Sequence, residues 1–286
     1  MFNAYSMMEN LRESLSESSA KHWSDRALLA ALNKSLASVY RLVAAAPGDW
    51  YLERMGPITP ISGKVLFTGI AAYGIRPAFL EVVSDGSHIP IVINARDKRV
   101  TYQRANGLSY TNDLYAFIYK DAIQVNQEGF SSAVYLWFER ATAMMHAGTA
   151  AAGGVQSLTL QASQDASIDN DYYNGETIEI VSGTGSGTRT TVSDYIGSTR
   201  VATLAAGTFG AGSVYGTVPN IPEPGLDLLI NQALLFAYFK PGAILAKEYV
   251  YLIRDEVNRA RVEFEAWLSA RVKETRRVRW TGAYHG

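Results

Sequence analysis

Few residues in this chain are spaced for catalysis. Its four histidines, His22, His88, His146 and His285, stand far apart, none within four residues of another. No pair therefore has the i, i+4 spacing that places two imidazoles on one helix face around zinc. There is no Cys, which excludes disulfides, thiol nucleophiles and Cys-based zinc sites and fits synthesis in a reducing cytoplasm. The motifs of zinc metalloproteases, serine hydrolases and phosphate-binding loops do not occur. Spacing along the sequence cannot single out a carboxylate pair among the 27 acids.

Two clusters deserve a chemical reading. Ser182-Gly183-Thr184-Gly185-Ser186-Gly187 has the glycine alternation of a dinucleotide loop, but no helix is predicted after it, so a hairpin loop is the stronger reading. Asp165, Asp169, Asn170 and Asp171 precede Tyr172-Tyr173-Asn174-Gly175. Alternating acids can hold Ca²⁺, yet the bidentate Glu that closes an EF-hand loop is missing, and Asx turns explain the cluster equally well. The sequence thus predicts no cofactor, no metal and no catalytic site, and hence no enzyme.

The third cluster is the C-terminal run Arg271 to Gly286. Arg271, Lys273, Arg276, Arg277 and Arg279 face a single acid, Glu274, and Trp280 and Tyr284 follow. A solvated basic helix end, favoured by the helix dipole, is the plain reading. The functional ones are docking on an acidic protein partner or proximity to DNA phosphates. Five charges without a basic fold around them read DNA poorly, so docking is preferred, by a segment that orders when bound. The whole chain agrees: 26 Lys+Arg balance 27 Asp+Glu for a net charge of −1, too even for a nucleic-acid footprint.

The elements that must position these residues fall into four segments of a 286-residue chain, long enough to bury about 75% of its unfolded surface. Residues 1–62 are helical. Met8, Leu11, Arg12 and Leu15 open a short pattern, and Leu28, Leu29, Leu32, Leu36, Val39, Tyr40 and Val43 define one face of a longer helix. Ser24 is its natural N-cap, with Asp25 in the first turn and Pro47-Gly48 beyond the end. Residues 63–140 turn to short strands: 62–67, 78–83, 88–93 and 132–138, with a turn at 84–87. The small residues 141–154 are a connection. Residues 155–220 are rich in Gly, Thr, Ser and Tyr, with strands near 157–160, 177–181, 188–192, 201–204 and 213–217, as in a small β-sandwich inserted in the chain.

Residues 221–286 return to helix after Pro219, Pro222 and Pro224. Leu226, Leu229, Ile230, Ala233, Leu234 and Ala237 form one helix, stopped at Pro241-Gly242. Val250, Ile253, Val257, Ala260, Phe264 and Trp267 then recur at steps of 3-4-3-4-3, a heptad-like seam. A helix from Lys247 to Thr275 is about 44 Å long. Its seam either is buried within the chain or packs against a neighbouring subunit. The class is α+β, a helical core from both chain ends with a central β domain and an inserted β-module. The N-terminus has no signal-peptide pattern, and the most apolar later stretch is broken at Lys240-Pro241-Gly242, so a soluble protein with no membrane partner is expected.

Two stretches resemble tailed-bacteriophage proteins. Ala166-Ser167, Asp169 to Asp171, Tyr173, Gly175, Ile178, Ile180, Gly183 to Gly187, Arg189, Asp194-Tyr195 and Val201 to Leu204 resemble a β-module of phage virion proteins, over about a fifth of the chain. Trp23-Ser24-Asp25, Leu28-Leu29 and Leu32-Asn33 resemble the opening helix of head-to-tail adaptor (connector) proteins, and the long C-terminal helix with its basic tail is similar to theirs. The resemblance implies a structural virion protein, made in the host cytoplasm and placed at the head–tail interface. Such adaptors form twelve-membered rings beneath the portal, so the expected partners are portal protein, tail or nozzle proteins, and copies of itself. DNA would pass the bore without specific binding. It makes Arg271, Lys273, Arg276, Arg277, Arg279, Trp280 and Tyr284 the candidate portal-docking set. The strand-rich second segment departs from the mostly helical minimal adaptor. Two other readings stay open: another virion part (tail, baseplate or decoration protein), or a receptor- or carbohydrate-binding protein, suggested by Tyr172, Tyr173, Tyr195 and Tyr215.

Overall fold

A computed structural model of the chain describes residues 2–17, 22–46, 52–66, 75–84, 87–94, 115–119, 122–127, 129–140, 143–239 and 247–275, with side chains within the last helix given for 249–270. It is a mixed α+β protein with helices near both chain ends and two β-sheets between them. The chain divides into two compact units, residues 50–141 and the remainder.

The described residues of the unit at 50–141 form a seven-stranded sheet, ordered β1-β7-β3-β4-β5-β6-β2. Its strands are β1 (Glu53–Ile58), β2 (Lys64–Leu66), β3 (Ile75–Ser84), β4 (Ser87–Asn94), β5 (Tyr115–Tyr119), β6 (Ala122–Val125) and β7 (Val134–Arg140). The expected strands at 62–67, 78–83, 88–93 and 132–138 correspond to β2, β3, β4 and β7. Residues 95–114 lie outside the described residues. β1, inside the stretch expected to be helical, begins the sheet instead by pairing with β7. Its Gly56-Pro57 hides it from a strand search, and an edge is where a strand tolerates Pro. Strand alternation puts Leu80, Val134, Leu136 and Phe138 into the core. On the opposite face Phe79 stacks on Trp137 at 5.6 Å, and Arg54 lies 3.7 Å above the Tyr135 ring. The Trp137 indole and Arg54 both meet the buried Glu81 carboxylate.

Among the described residues the other unit joins four α-helices to a six-stranded sheet, ordered β8-β13-β10-β11-β12-β9. Its strands are β8 (Ala147–Thr149), β9 (Ala152–Thr159), β10 (Thr177–Ser182), β11 (Arg189–Ile196), β12 (Val201–Thr208) and β13 (Val214–Val218). The stretch 141–154 is therefore more than a connection: it holds β8 and the start of β9. Its small residues carry no alternation, which conceals it. β8 and β9 occupy opposite edges of the sheet although only Ala150 and Ala151 separate them. The three Cα steps from Thr149 to Ala152 span at most about 11 Å, so the sheet curls to bring those two strand ends together. Tyr173, Tyr195 and Tyr215 fill the space so enclosed, with Ile178, Ile180, Leu158 and Leu204 around them.

The helices are α1 (Ala4–Ser14), α2 (Asp25–Ala45), α3 (Leu226–Tyr238) and α4 (Lys247–Thr275). Asn3 and Ser6 close α1 with a reciprocal capping box, and the Ser24 hydroxyl caps α2 by accepting from Ala27 N–H at 3.3 Å. α2 packs along α3, and α3 along α4. The Ser35 hydroxyl, fully buried in the first contact, donates to the Leu229 carbonyl at 2.8 Å. Among the described residues α2 alone is long and apolar enough to cross a membrane. Its Leu28, Leu32, Leu36 and Val39 are buried in the protein, while Arg26, Lys34 and Arg41 are exposed.

Candidate functional site: the helical clasp and the β-module

The residues that bear on function are those that hold the two chain ends together. Arg12 lies on α1 among Met8 and Leu11, and its guanidinium is buried. It donates to the Trp23 carbonyl at 3.0 Å, pairs with Glu17 at 3.3 Å and meets the Asp25 carboxylate. Glu17, itself buried, accepts from the backbone N–H of His22 and Trp23. One cation thus pairs with three carboxylates, the third being Glu9 at 3.8 Å, and fixes the α1–α2 corner, the partnering a buried charge requires. Trp23 carries the clasp to the other end of the chain, its indole N–H donating to the Ala237 carbonyl at 3.1 Å in the last turn of α3. The triplet Trp23-Ser24-Asp25 therefore performs three tasks: a bridge to α3, the α2 cap and the Arg12 ion pair. The hint of Arg12 in the sequence was a cation at an apolar-pattern position. Ala237 left no signal, because it takes part through its backbone.

On α4, Ile253, Ala260, Phe264 and Leu268 are buried, with Val250, Val257 and Trp267 half-buried. The Phe264 ring is fully buried beside Gly225 and Val39 and stacks on Trp267 at 6.1 Å. A Cβ on Gly225 would come within 3.0 Å of that ring, so glycine lets the 3-10 turn Glu223–Gly225, which leads into α3, close on α4. Ile253 and Phe264 thus face the chain's own helices. Arg271 and Lys273 lie on the last turn of α4, outside the described side chains, and Arg276, Arg277, Arg279, Trp280 and Tyr284 lie outside the described residues.

The β-module is joined to α1 and α2 by named contacts. Asn33 on α2 mimics a strand neighbour for Met145: its amide donates to the Met145 carbonyl at 3.0 Å and its carbonyl accepts from Met145 N–H at 2.6 Å. Arg26 pairs with Asp165 at 2.6 Å. Gly216 on β13 passes under the start of α1, where a Cβ would meet Tyr5 N at 2.7 Å. Next to Met145, His146 is buried in the module. Its backbone N–H donates to Thr217 Oγ1 at 2.8 Å, and its Nδ1 lies 2.9 Å from the Tyr215 hydroxyl. That hydroxyl also accepts from Gln161 N–H at 2.8 Å, and it keeps a proton and a second lone pair for Nδ1, so the direction of the shared bond follows the imidazole tautomer. Burial pulls the His146 pKa down to about 4, against smaller upward pulls from the Gln161 backbone and Asp165. Burial likewise pushes the Tyr173 and Tyr215 phenols above their ordinary range.

The residues that resemble a virion module serve this fold. The Tyr195 hydroxyl donates to the Ser167 carbonyl at 2.6 Å, tying β11 to the loop before β10. Asn170 accepts from Gly197 N–H at 3.0 Å, and Asp171 from the Asn174 amide at 2.8 Å, so two members of the acidic cluster are engaged in turns. Among the described residues no group of three or more His, Cys, Asp or Glu is placed to hold a metal. Gly183 to Gly187 join β10 to β11, with strand rather than helix following. Tyr173, Tyr195 and Tyr215, which suggested glycan stacking, are core residues, and Tyr172 is half-buried. No protein-family model matches the chain, and no curated protein is similar to it.

Proposed function

We propose that this chain is a structural virion protein of a tailed phage, a subunit of the adaptor ring that joins the DNA-filled head to the tail beneath the portal. On this reading the fold is a helical core built from both chain ends, into which the 63–140 β domain and the 155–220 module, a small β-sandwich, are inserted. The partners are portal protein on one side, tail or nozzle proteins on the other, and copies of the chain beside it. The chain acts without catalysis or cofactor, as a stiff wedge with DNA passing the bore unread.

The observation that carries the reading is the clasp. Trp23, Ser24 and Asp25, the residues that resemble an adaptor's opening helix, bind α1, α2 and α3 into one body. A ring subunit needs such rigidity because it transmits load between neighbours and contributes no chemistry. Among the module residues that resemble a virion module, Asn170, Asp171, Tyr173, Ile178, Ile180, Tyr195 and Leu204 have folding roles, which supports that resemblance as one of architecture.

The test is deletion of residues 275–286, followed by co-sedimentation with portal rings. The expected result is a folded subunit that no longer travels with portal. Undiminished co-sedimentation refutes the docking role of the tail. Intact chain that fractionates with capsid shells or tail tips instead of portal refutes the adaptor reading.

A further inference from the structure

Two exposed helix faces of the same chain carry matching patterns. On α2, Arg26, Ala30, Lys34, Ala37 and Arg41 follow steps of four, four, three and four, and all are exposed. This face is basic and otherwise small. Lys34 lies over the Phe236 ring at 4.1 Å, Arg26 is taken by Asp165, and Arg41 has no ion pair among the described residues. Ala30 and Ala37 also line a groove of about 380 Å³ together with Leu29, Met144 and Met145.

α4 turns the opposite pattern outward. Its seam is used on the chain's own core, yet Tyr249 and Leu252 remain 60% and 62% exposed. On the same side lie Glu256 and Glu263, both exposed. Arg259 between them pairs with Glu256, whereas Glu263 has no ion pair among the described residues. The spacings coincide. Leu252, Glu256 and Glu263 repeat the steps of four and seven that separate Ala30, Lys34 and Arg41. Seven residues rise about 10.5 Å on either helix, so two such helices laid parallel put Leu252 over Ala30, Glu256 beside Lys34 and Glu263 beside Arg41.

We infer that the outer face of α4 docks onto the Ala30–Arg41 face of α2 in a second copy of this chain. Neither face suits itself: two α2 faces would oppose Lys34 and Arg41 to their own copies, and two α4 faces would oppose Glu263 in the same way. The contact is therefore heterologous, each subunit offering α2 to one neighbour and α4 to the other, and a heterologous contact closes into a ring or runs into a filament. Leu252 supplies the apolar knob and Ala30 the room for it, Ala37 leaves space for Arg259, which stays paired with Glu256, and the charges set register and orientation. This inference rests on the ring reading above and names the surface through which the ring would form.

The absence of Cys in the sequence makes the test specific. Ala30→Cys, Leu252→Cys and the double variant are each oxidised at rising protein concentration, with and without portal. The expected result is a ladder of covalent oligomers from the double variant and monomer from each single one. A 1:1 mixture of the two single variants should stop at dimers. A second arm reverses charge: the Lys34→Glu/Arg41→Glu chain and the Glu256→Lys/Glu263→Lys chain should each fail to assemble alone and should co-assemble when mixed. Both variants alter exposed positions, and circular dichroism checks their folding. Cross-linking of a single variant with itself, or no ladder from the double variant, overturns the inference. Rings that form in negative stain despite that result leave the adaptor reading standing and move the interface elsewhere. Absence of any assembly with or without portal sinks both.

Discussion

His146 gives the sharpest test of the β-module's interior, because its burial fixes the sign of the pH response. It is 1% exposed, Nδ1 shares a hydrogen bond with the Tyr215 hydroxyl, and Nε2 has no hydrogen-bond partner. A second proton would put a full charge in an apolar site and leave the N–H at Nε2 without an acceptor. In the unfolded chain the imidazole titrates near 6.5, and in the folded one near 4. Between those values the unfolded state binds the extra proton and the folded state does not, so stability rises with pH there. It is fully present above about pH 6.5, falls as pH drops, and stops falling on this account below about pH 4. Each pH unit in the window is worth about 1.4 kcal/mol, or about 3 kcal/mol across it. Two measurements check this. Imidazole C–H resonances followed by NMR should show one of the four histidines still neutral at pH 5. Urea unfolding at several pH values should show a steeper acid slope for the parent than for His146→Gln, by close to one proton between pH 6 and 4.5. Parallel slopes, or four histidines titrating above pH 6, would refute the assignment.

Two further outcomes follow from the clasp and the α4 packing. Arg12→Ala strands the buried Glu17 carboxylate and should cost about 3–5 kcal/mol, with Arg12→Met/Glu17→Gln recovering much of it; a urea midpoint that hardly moves for Arg12→Ala would show the ion pair to be dispensable. Phe264→Ala opens a cavity between α4, Gly225 and Val39 and should cost about 3–5 kcal/mol, whereas Val262→Ala on the exposed face should change stability by less than about 0.5 kcal/mol; equal effects at the two positions would contradict the packing of α4.

What could be read from the sequence divides along physical lines. Spacing is local, so α2, α3 and α4 were legible from apolar steps of three and four, the Ser24 cap from its hydroxyl before a helical pattern, and β3, β4, β10 and β13 from β-branched and aromatic runs. The elements that escaped lack that local signature. β1 is broken by Gly56-Pro57 and sits at an edge. β8 is three small residues made a strand only by β13, and β9 begins among glycines. Partner identity is non-local and left almost no trace. Nothing in the chain announces that Asn33 holds Met145, that Trp23 reaches Ala237, or that His146 lies inside the module rather than in a flexible link.

The long helix shows how this limit bears on function. A heptad-like recurrence states that one face of α4 is buried and is silent on what buries it, since the same steps serve an intramolecular core and a subunit seam alike. Here Ile253 and Phe264 are consumed within the chain, while Val250, Val257 and Trp267 remain half-buried. The informative residues for assembly are then those that break the pattern: Tyr249 and Leu252 exposed on a helix whose apolar needs are already met, and Glu256 and Glu263 at the spacing of Lys34 and Arg41. A monomeric globule has no use for a charge register shared between two outward faces. On the proposed ring it has one, since each subunit there must choose a different neighbour on each side.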